Sequence, residues 1–195
     1  MNHSNIFDSL EKIKKTIDDH KDEIEKLDQN IGDGDHIFNI QRGIKESLDL
    51  KEELNGKNPS EVLKKIGLKV MTTVGGSSGA LFATLLIGMA KKYNSEHLDQ
   101  KNIALMFEEG VNAMKKRGNA DIGEKTMLDV LIPVSKELKN LSEEKDIKMI
   151  AQKIKETAKK GMLSTKNIIA TKGRASFLGE RAKGHIDPGA RSSQL

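Results

Sequence analysis

The chain of 195 residues contains no cysteine and no tryptophan, and aromatic residues make up 3% of it. Without cysteine there is neither a disulfide framework nor a thiolate metal site, and the reducing cytoplasm fits this composition. So few aromatics argue against a reader of single-stranded nucleic acid, which stacks bases on aromatic platforms. A core must be assembled from Ile, Leu, Val, Met and Ala instead. Charge of one sign is also scarce: 33 basic and 29 acidic residues leave a formal net charge of +4. The two signs are interspersed, as in "EKIKKTIDDHKDEIEK", which reads as solvated helix face rather than a nucleic-acid patch. No long apolar run is present. "GALFATLLIGMA" (Gly79 to Ala90) falls short of the ~20 residues a membrane span needs, and reads as a buried helix. The start, "MNHSNIFDSLEK", lacks the basic and apolar regions of a secretory signal. The expectation is a cytoplasmic protein with no membrane and no direct nucleic-acid partner.

Helical periodicity fills most of the chain. Phe7, Leu10, Ile13, Ile17, Ile24 and Leu27 recur at intervals of three, four or seven, predicting one long helix. Ile37, Ile40, Ile44 and Leu48 mark a second. "NPSEVLKK" predicts a third, with Asn58 as N-cap and Pro59 as its first residue. A fourth is expected from near Ser78 to Tyr93, and a fifth carries Ile103, Phe107, Val111 and Met114 and ends at Gly118. A sixth starts near Thr126, with Pro133 predicting a kink or a late start. The seventh runs from Asp146 to about Ala170. Alternating strand runs are missing. The fold class expected is all-α, an antiparallel helical barrel or bundle of about seven to eight helices, forming a single domain over residues 1–195. Glycines gather in the connections, where backbone approaches a ligand most easily. Loops at one end of the bundle are the expected site.

Four segments carry candidate chemistry. In "LDQNIGDGDHIFNIQRG", Asp28, Asp33 and Asp35 repel one another unless a cation is shared among them. A hard divalent ion such as Mg²⁺ takes oxygen ligands of this kind. An EF-hand does not fit: counting Asp33 as position one puts Phe38 where the loop needs Gly and Ile44 where it needs Glu. The residues alone equally suit a turn in which Asp35 caps the next helix and the others are solvated. His36 and Asn39 lie in the first turn of that helix, where free N–H groups attract anions; a His there also serves as an ordinary hydrogen-bonded residue. "TVGGSSGA" (Thr73 to Ala80) is neither a Walker A motif nor a dinucleotide fingerprint, but its N–H groups and the Ser77 and Ser78 hydroxyls suit phosphate. A tight interhelical turn suits it too. "TKGRASFLGERAKGHIDPGARSS" (Thr171 to Ser193) shows little amphipathic period. It reads as a functional loop whose Arg174, Arg181 and Arg191 could fork around phosphate, or as a frayed basic tail. Combined, the four suggest a Mg-nucleotide or another polyphosphate.

At "IGDGDH...N...RG", "GGSSG", "GNADIGEKTMLDVLIP" and "TKGRASFLGERAKGHIDPGA" the chain resembles the nucleotide-binding L subunits of phosphoenolpyruvate-dependent bacterial dihydroxyacetone kinases. These blocks span nearly the whole chain in order, and the family fold is an antiparallel α-helical barrel. The resemblance implies that Asp28, Asp33 and Asp35 hold two Mg²⁺ ions bridging to ADP. It places His36, Ile37, Phe38 and Asn39 beside the phosphates, Ser77 and Ser78 on the glycine loop, and Gly118 and Met127 at the adenine end. Arg174 matches an arginine of the nucleotide site, and Asp187, Pro188 and Gly189 a closing loop. It further implies ADP as a resident coenzyme, recharged to ATP by a phosphohistidine M subunit of the phosphotransferase system and spent on dihydroxyacetone held by a K subunit. No catalytic nucleophile is implied. An ATP-exchanging kinase domain and a nucleotide-state sensor binding a transcription regulator are the alternatives. Two departures stand out. Ile37 occupies a position where the family often has Gly, with Phe38 after it, so a reshaped pocket lip is expected. Many relatives also continue past "DPGA" with a further amphipathic helix, whereas this chain ends in "RSSQL".

Overall fold

The computed structural model describes residues 3–195. Nine α-helices are found among the described residues, with no strand. They are α1 (His3–Asp19), α2 (Lys21–Ile31), α3 (His36–Leu48), α4 (Pro59–Thr73), α5 (Gly76–Lys92), α6 (Gln100–Gly118), α7 (Leu128–Asn140), α8 (Ile147–Ser164) and α9 (Pro188–Gln194). Two 3-10 segments, Thr165–Asn167 and Arg174–Ala182, complete the regular structure. Among the described residues no helix is long and apolar enough to cross a membrane.

From α2 to α9 each helix packs on its successor, and α9 packs on both α8 and α2, so the sequence of contacts closes into a ring. A helical barrel is thus the observed architecture. Helix α1 lies against α3 and α4. Local chemistry sets the helix starts. Asn58 accepts from the Glu61 N–H at 3.0 Å and its amide returns a bond to the Glu61 carboxylate at 2.9 Å, a reciprocal cap. Asp99 and Asp146 cap α6 and α8 in the simpler way.

Three expectations need correction. The first long helix is two, because the chain breaks at His20, whose N–H turns to the Ile17 carbonyl and whose Nδ1 pairs with the Thr16 carbonyl at 2.8 Å. The apolar stripe divides between two cores: Ile6 and Phe7 join Leu54, Val62 and Ile66 in one, while Ile17, near the end of α1, and Ile24 of α2 join Ile37 and Ile44 in another. The seventh predicted helix stops at Ser164 rather than Ala170, where Thr165 turns its hydroxyl back to the Met162 carbonyl at 2.7 Å. The stretch 171–193 is neither an open loop nor a frayed tail. Ala175 and Ala182 of its 3-10 segment pack with Ile31 and Ala170, and α9 follows. Small residues at non-helical spacing leave no periodic signature, so this order was invisible to pattern.

Pro133 sits inside α7. Lacking an N–H, it leaves the Asp129 carbonyl without its intrahelical donor. Gly161 of α8 lies directly against that carbonyl, where a Cβ would come within 2.2 Å of the oxygen. The missing hydrogen bond and the missing side chain together let α7 and α8 approach closely.

Candidate functional site

The connections at one end of the barrel enclose a cavity of about 760 Å³, walled by the α2–α3 turn, the start of α5, the α6–α7 loop, the 3-10 segment and the start of α9. That volume suits a ligand of nucleotide size.

Its acidic side is built by the end of α2. Asp28 is 4% exposed, and one oxygen of each of Asp28, Asp33 and Asp35 lies within 4.8 Å of the others. Asp28 is fixed twice: Oδ2 accepts the His36 N–H at 3.0 Å, and Oδ1 occupies the space that a Cβ on Gly32 would enter, 1.8 Å away. Asp35 makes no side-chain cap to α3, so the capped-turn reading does not describe this segment. Asp33 Oδ2 meets Arg174 Nε at 2.7 Å, in a pair whose side chains are 40% and 70% exposed.

Opposite lies the start of α5. Gly75 precedes it, Gly76 has φ +73°, and no side chain caps its first turn. Ser77 and Ser78 face the cavity from there. Beneath the turn, Asn39 is 6% exposed and its Nδ2 has no hydrogen-bond partner among the described residues. A Cβ at Gly76 would come within 3.1 Å of that nitrogen and 3.8 Å of Asp35 Oδ2. A carboxylate cluster, an uncapped helix start facing it and an orphaned buried amide behind that start are the donor set expected for a hard cation and an anion bound together. These residues fit Mg²⁺ with a phosphate.

The far end is apolar, with Leu81, Gly118, Ala120 and Met127 in its wall. Here the α6–α7 loop is held by Asp129, 1% exposed, which accepts from the Gly123 N–H at 2.6 Å and the Thr126 N–H at 2.8 Å. Glu124 holds the loop to Thr171 at 2.8 Å. Asp187, which also faces the cavity, caps α9 by accepting the Ala190 N–H at 2.7 Å. Burial pushes its carboxyl up to about 7, against the pull of that bond and of Lys125, and Asp129 and Asp28 add to the rise. Burial lowers the His36 imidazole below its ordinary range despite Asp28 and Asp35. Its Nε2 lies 3.0 Å from Ser192 Oγ, so the ring is engaged by α9.

Of the residues expected at the site, Asp28, Asp33, Asp35, His36, Ser77, Ser78, Gly118, Met127, Arg174, Asp187, Pro188 and Gly189 line this one cavity. Ile37, Phe38 and Asn39 do not. Ile37 is fully buried in the core with Ile17, Ile24 and Ile44, so its bulk does not reshape the pocket lip. Phe38 points outward, 47% exposed, with Lys21 Nζ 5.5 Å from its ring centroid. Arg191 also departs from a phosphate role, because it pairs with both carboxylate oxygens of Glu23, at 2.7 and 2.8 Å, and so ties α9 to α2. Lys125 and Asp129 were missed. Asp129 had a signal in "TMLD", a Thr followed three residues on by an acid at a helix start, whereas Lys125 had none.

A family model for the DAK2 domain matches residues 30–195. The ADP-binding subunit DhaL of PEP-dependent dihydroxyacetone kinase 1 from Listeria innocua is 39% identical over 92% of this chain and 85% of its own length. The ADP-binding subunit DhaL of the PEP-dependent dihydroxyacetone kinase of Escherichia coli is 37% identical over 85% of this chain and 80% of its own. In structure the chain is similar to the dihydroxyacetone kinase from C. freundii solved in complex with AMP-PNP and Mg²⁺, with a TM-score of 0.76 and 25% identity over 98% of this chain. The chain spans about a third (32%) of that longer protein.

Proposed function

The chain belongs to the DAK2 domain family, and from that premise we propose that residues 1–195 act as one L-type domain, the nucleotide-carrying subunit of a dihydroxyacetone kinase in the cytoplasm. The observation that carries this is the convergence, in one cavity, of three carboxylates, an uncapped glycine-serine helix start and an apolar end. ADP with two Mg²⁺, held as a coenzyme, would supply the phosphoryl relay from a phosphohistidine M subunit to dihydroxyacetone on a K subunit.

The chain's own residues divide the work. Asp28, Asp33 and Asp35 would hold the metal, with Asp28 kept in register by the His36 N–H. Ser77, Ser78 and the first N–H groups of α5 would receive phosphate oxygens, and Asn39 backs that turn from below. Arg174, exposed at the mouth and paired with Asp33, brings a positive charge to the position where phosphate charge must be neutralised. Leu81, Gly118 and Met127 offer an apolar slot for the base. No nucleophile is required of this chain, because phosphoryl transfer is accelerated chiefly by positioning and charge neutralisation. The buried His36, whose imidazole burial lowers below its ordinary range, is tied to α9 through Ser192 and serves as a structural clip.

The test is reconstitution with purified K and M subunits. Phosphorylation of dihydroxyacetone that depends on phosphoenolpyruvate and is not supported by free ATP is the expected result. Equal support from free ATP would instead identify a domain that exchanges its nucleotide, and no activity with either would refute the proposal. Binding of a transcription regulator in only one nucleotide state would identify the sensor role.

A further inference from the structure

Lys125 stands in an unusual setting. It is 1% exposed, it has a backbone φ of +61°, and it lies in the cavity wall. Its ammonium donates to the Thr165 carbonyl and to the His185 carbonyl, each at 2.5 Å. The two acceptors belong to separate segments: the turn after α8 and the strand of chain that leads into α9. Those segments are also joined by main-chain and hydroxyl bonds, and Ile186 packs in one core with Met162 near the end of α8. The Asp187 N–H donates to Thr165 Oγ1 at 3.1 Å, and the Gly184 N–H to the Lys166 carbonyl at 2.8 Å. The Lys125 charge also faces the carboxylates of Asp187 and Asp129. Burial of an ammonium is unfavourable unless its charge and donors are met, so this placement has a structural demand behind it. Lys125 lies two residues from Met127, and Met127 in turn abuts Gly189, where a Cβ would come within 3.3 Å of Met127 Cε.

We propose that Lys125 is a positioning residue: it locks the segment 185–189 against the α6–α7 loop and so fixes the wall that encloses the base and ribose of the nucleotide. This rests on the nucleotide reading of the cavity. The carboxylate end is built from other elements, α2 and the α2–α3 turn, and Asp28 is fixed by Gly32 and His36 without help from Lys125. Loss of the lysine therefore loosens one half of the site and leaves the other.

Two probes separate the halves: Mg-ADP, which needs both, and Mg-pyrophosphate, which needs only the metal and phosphate end. Titrating wild type and Lys125→Met with each, Mg-ADP affinity should fall about tenfold or more, because pre-organisation of the wall is lost, while Mg-pyrophosphate affinity stays within about twofold. Amide exchange over 184–189 should quicken in the nucleotide-free variant. A parallel loss of both ligands, or no loss of either, would overturn the assignment. Should Lys125→Met fail to fold, Lys125→Arg retains the cation with a misplaced donor pattern, and the same divided response is expected of it; a parallel or absent response overturns the proposal there too. Wild type that binds neither probe would instead refute the nucleotide reading itself.

Discussion

Gly32→Ala offers a sharp perturbation of the metal end. The residue has φ −125° and ψ −146°, outside the left-handed region, so no left-handed strain enters. The effect is steric: the new methyl would stand 1.8 Å from Asp28 Oδ1 and 2.9 Å from both Asp28 Cγ and the Asp28 carbonyl oxygen. Asp28 is 4% exposed, so its carboxylate has little free space into which to swing. Forcing a methyl into packed space costs about 1–3 kcal/mol, and displacing Asp28 forfeits its charged bond to the His36 N–H, worth about 1.5–3 kcal/mol. With partial relaxation, a loss of about 2–4 kcal/mol is expected, or roughly 5–15 °C in Tm for a chain of this length. Mg-ADP affinity should fall about 100-fold or more, since a ligand carboxylate and not merely its support is displaced. Gly56→Ala is the control. Nothing lies within 4 Å of its Cβ and its φ is +76°, so it should cost only the left-handed backbone term, about 1–2 kcal/mol, with nucleotide affinity unchanged. The assays are thermal melts and calorimetric titration with Mg-ADP. A Gly32→Ala protein that binds Mg-ADP as wild type does would refute the placement of Asp28 in the metal site.

Asp33→Asn should abolish Mg-ADP retention and shift stability by less than about 1 kcal/mol, because the ion pair it breaks among the described residues is the exposed one with Arg174; circular dichroism and equilibrium dialysis together check this. Gly161→Ala should destabilise by about 3 kcal/mol or more in urea unfolding, since its Cβ would meet the Asp129 carbonyl at 2.2 Å and backbone cannot step aside. The raised Asp187 carboxyl gives a pH signature in metal-free, nucleotide-free protein. The folded state holds this proton up to about 7 whereas the unfolded chain releases it near 3.8, so its contribution is complete below the lower value and is lost as pH rises to the upper, at about 1.4 kcal/mol per unit. Subtracting the unfolding profile of Asp187→Asn from that of wild type should reveal this slope, and a flat difference between pH 4 and 7 would count against it.

Much of this was legible because helices and their caps are local. Asn58 and Pro59 announced α4, and the aliphatic stripe of α3 lies where spacing put it, whereas Ile103 and Ile147, at the starts of the α6 and α8 stripes, are exposed. The carboxylate trio could be read as a cluster because all three residues are near neighbours in sequence. Ile37 shows how a resemblance can mislead. Its spacing with Ile40 and Ile44 already assigned it to the buried stripe, and the core is where it lies; comparison with a family glycine suggested the pocket lip instead. The break at His20 was hidden because Ile17 and Ile24, seven apart, keep a helical interval across it. Lys125 was hidden for a different reason. Its partners are main-chain carbonyls 40 and 60 residues away, and a carbonyl has no side-chain identity by which sequence can register it.

We propose, then, that this cavity holds a nucleotide through a metal bound to Asp28, Asp33 and Asp35. Native mass spectrometry of the purified protein tests it most directly, before and after chelation by EDTA and after addition of Mg-ADP. The expected result is a mass increment of ADP with Mg²⁺ that EDTA removes, that added Mg-ADP restores, and that Asp33→Asn fails to acquire. A wild-type protein that takes up no nucleotide in the presence of Mg²⁺, or one that binds ADP equally well with EDTA present, would contradict it.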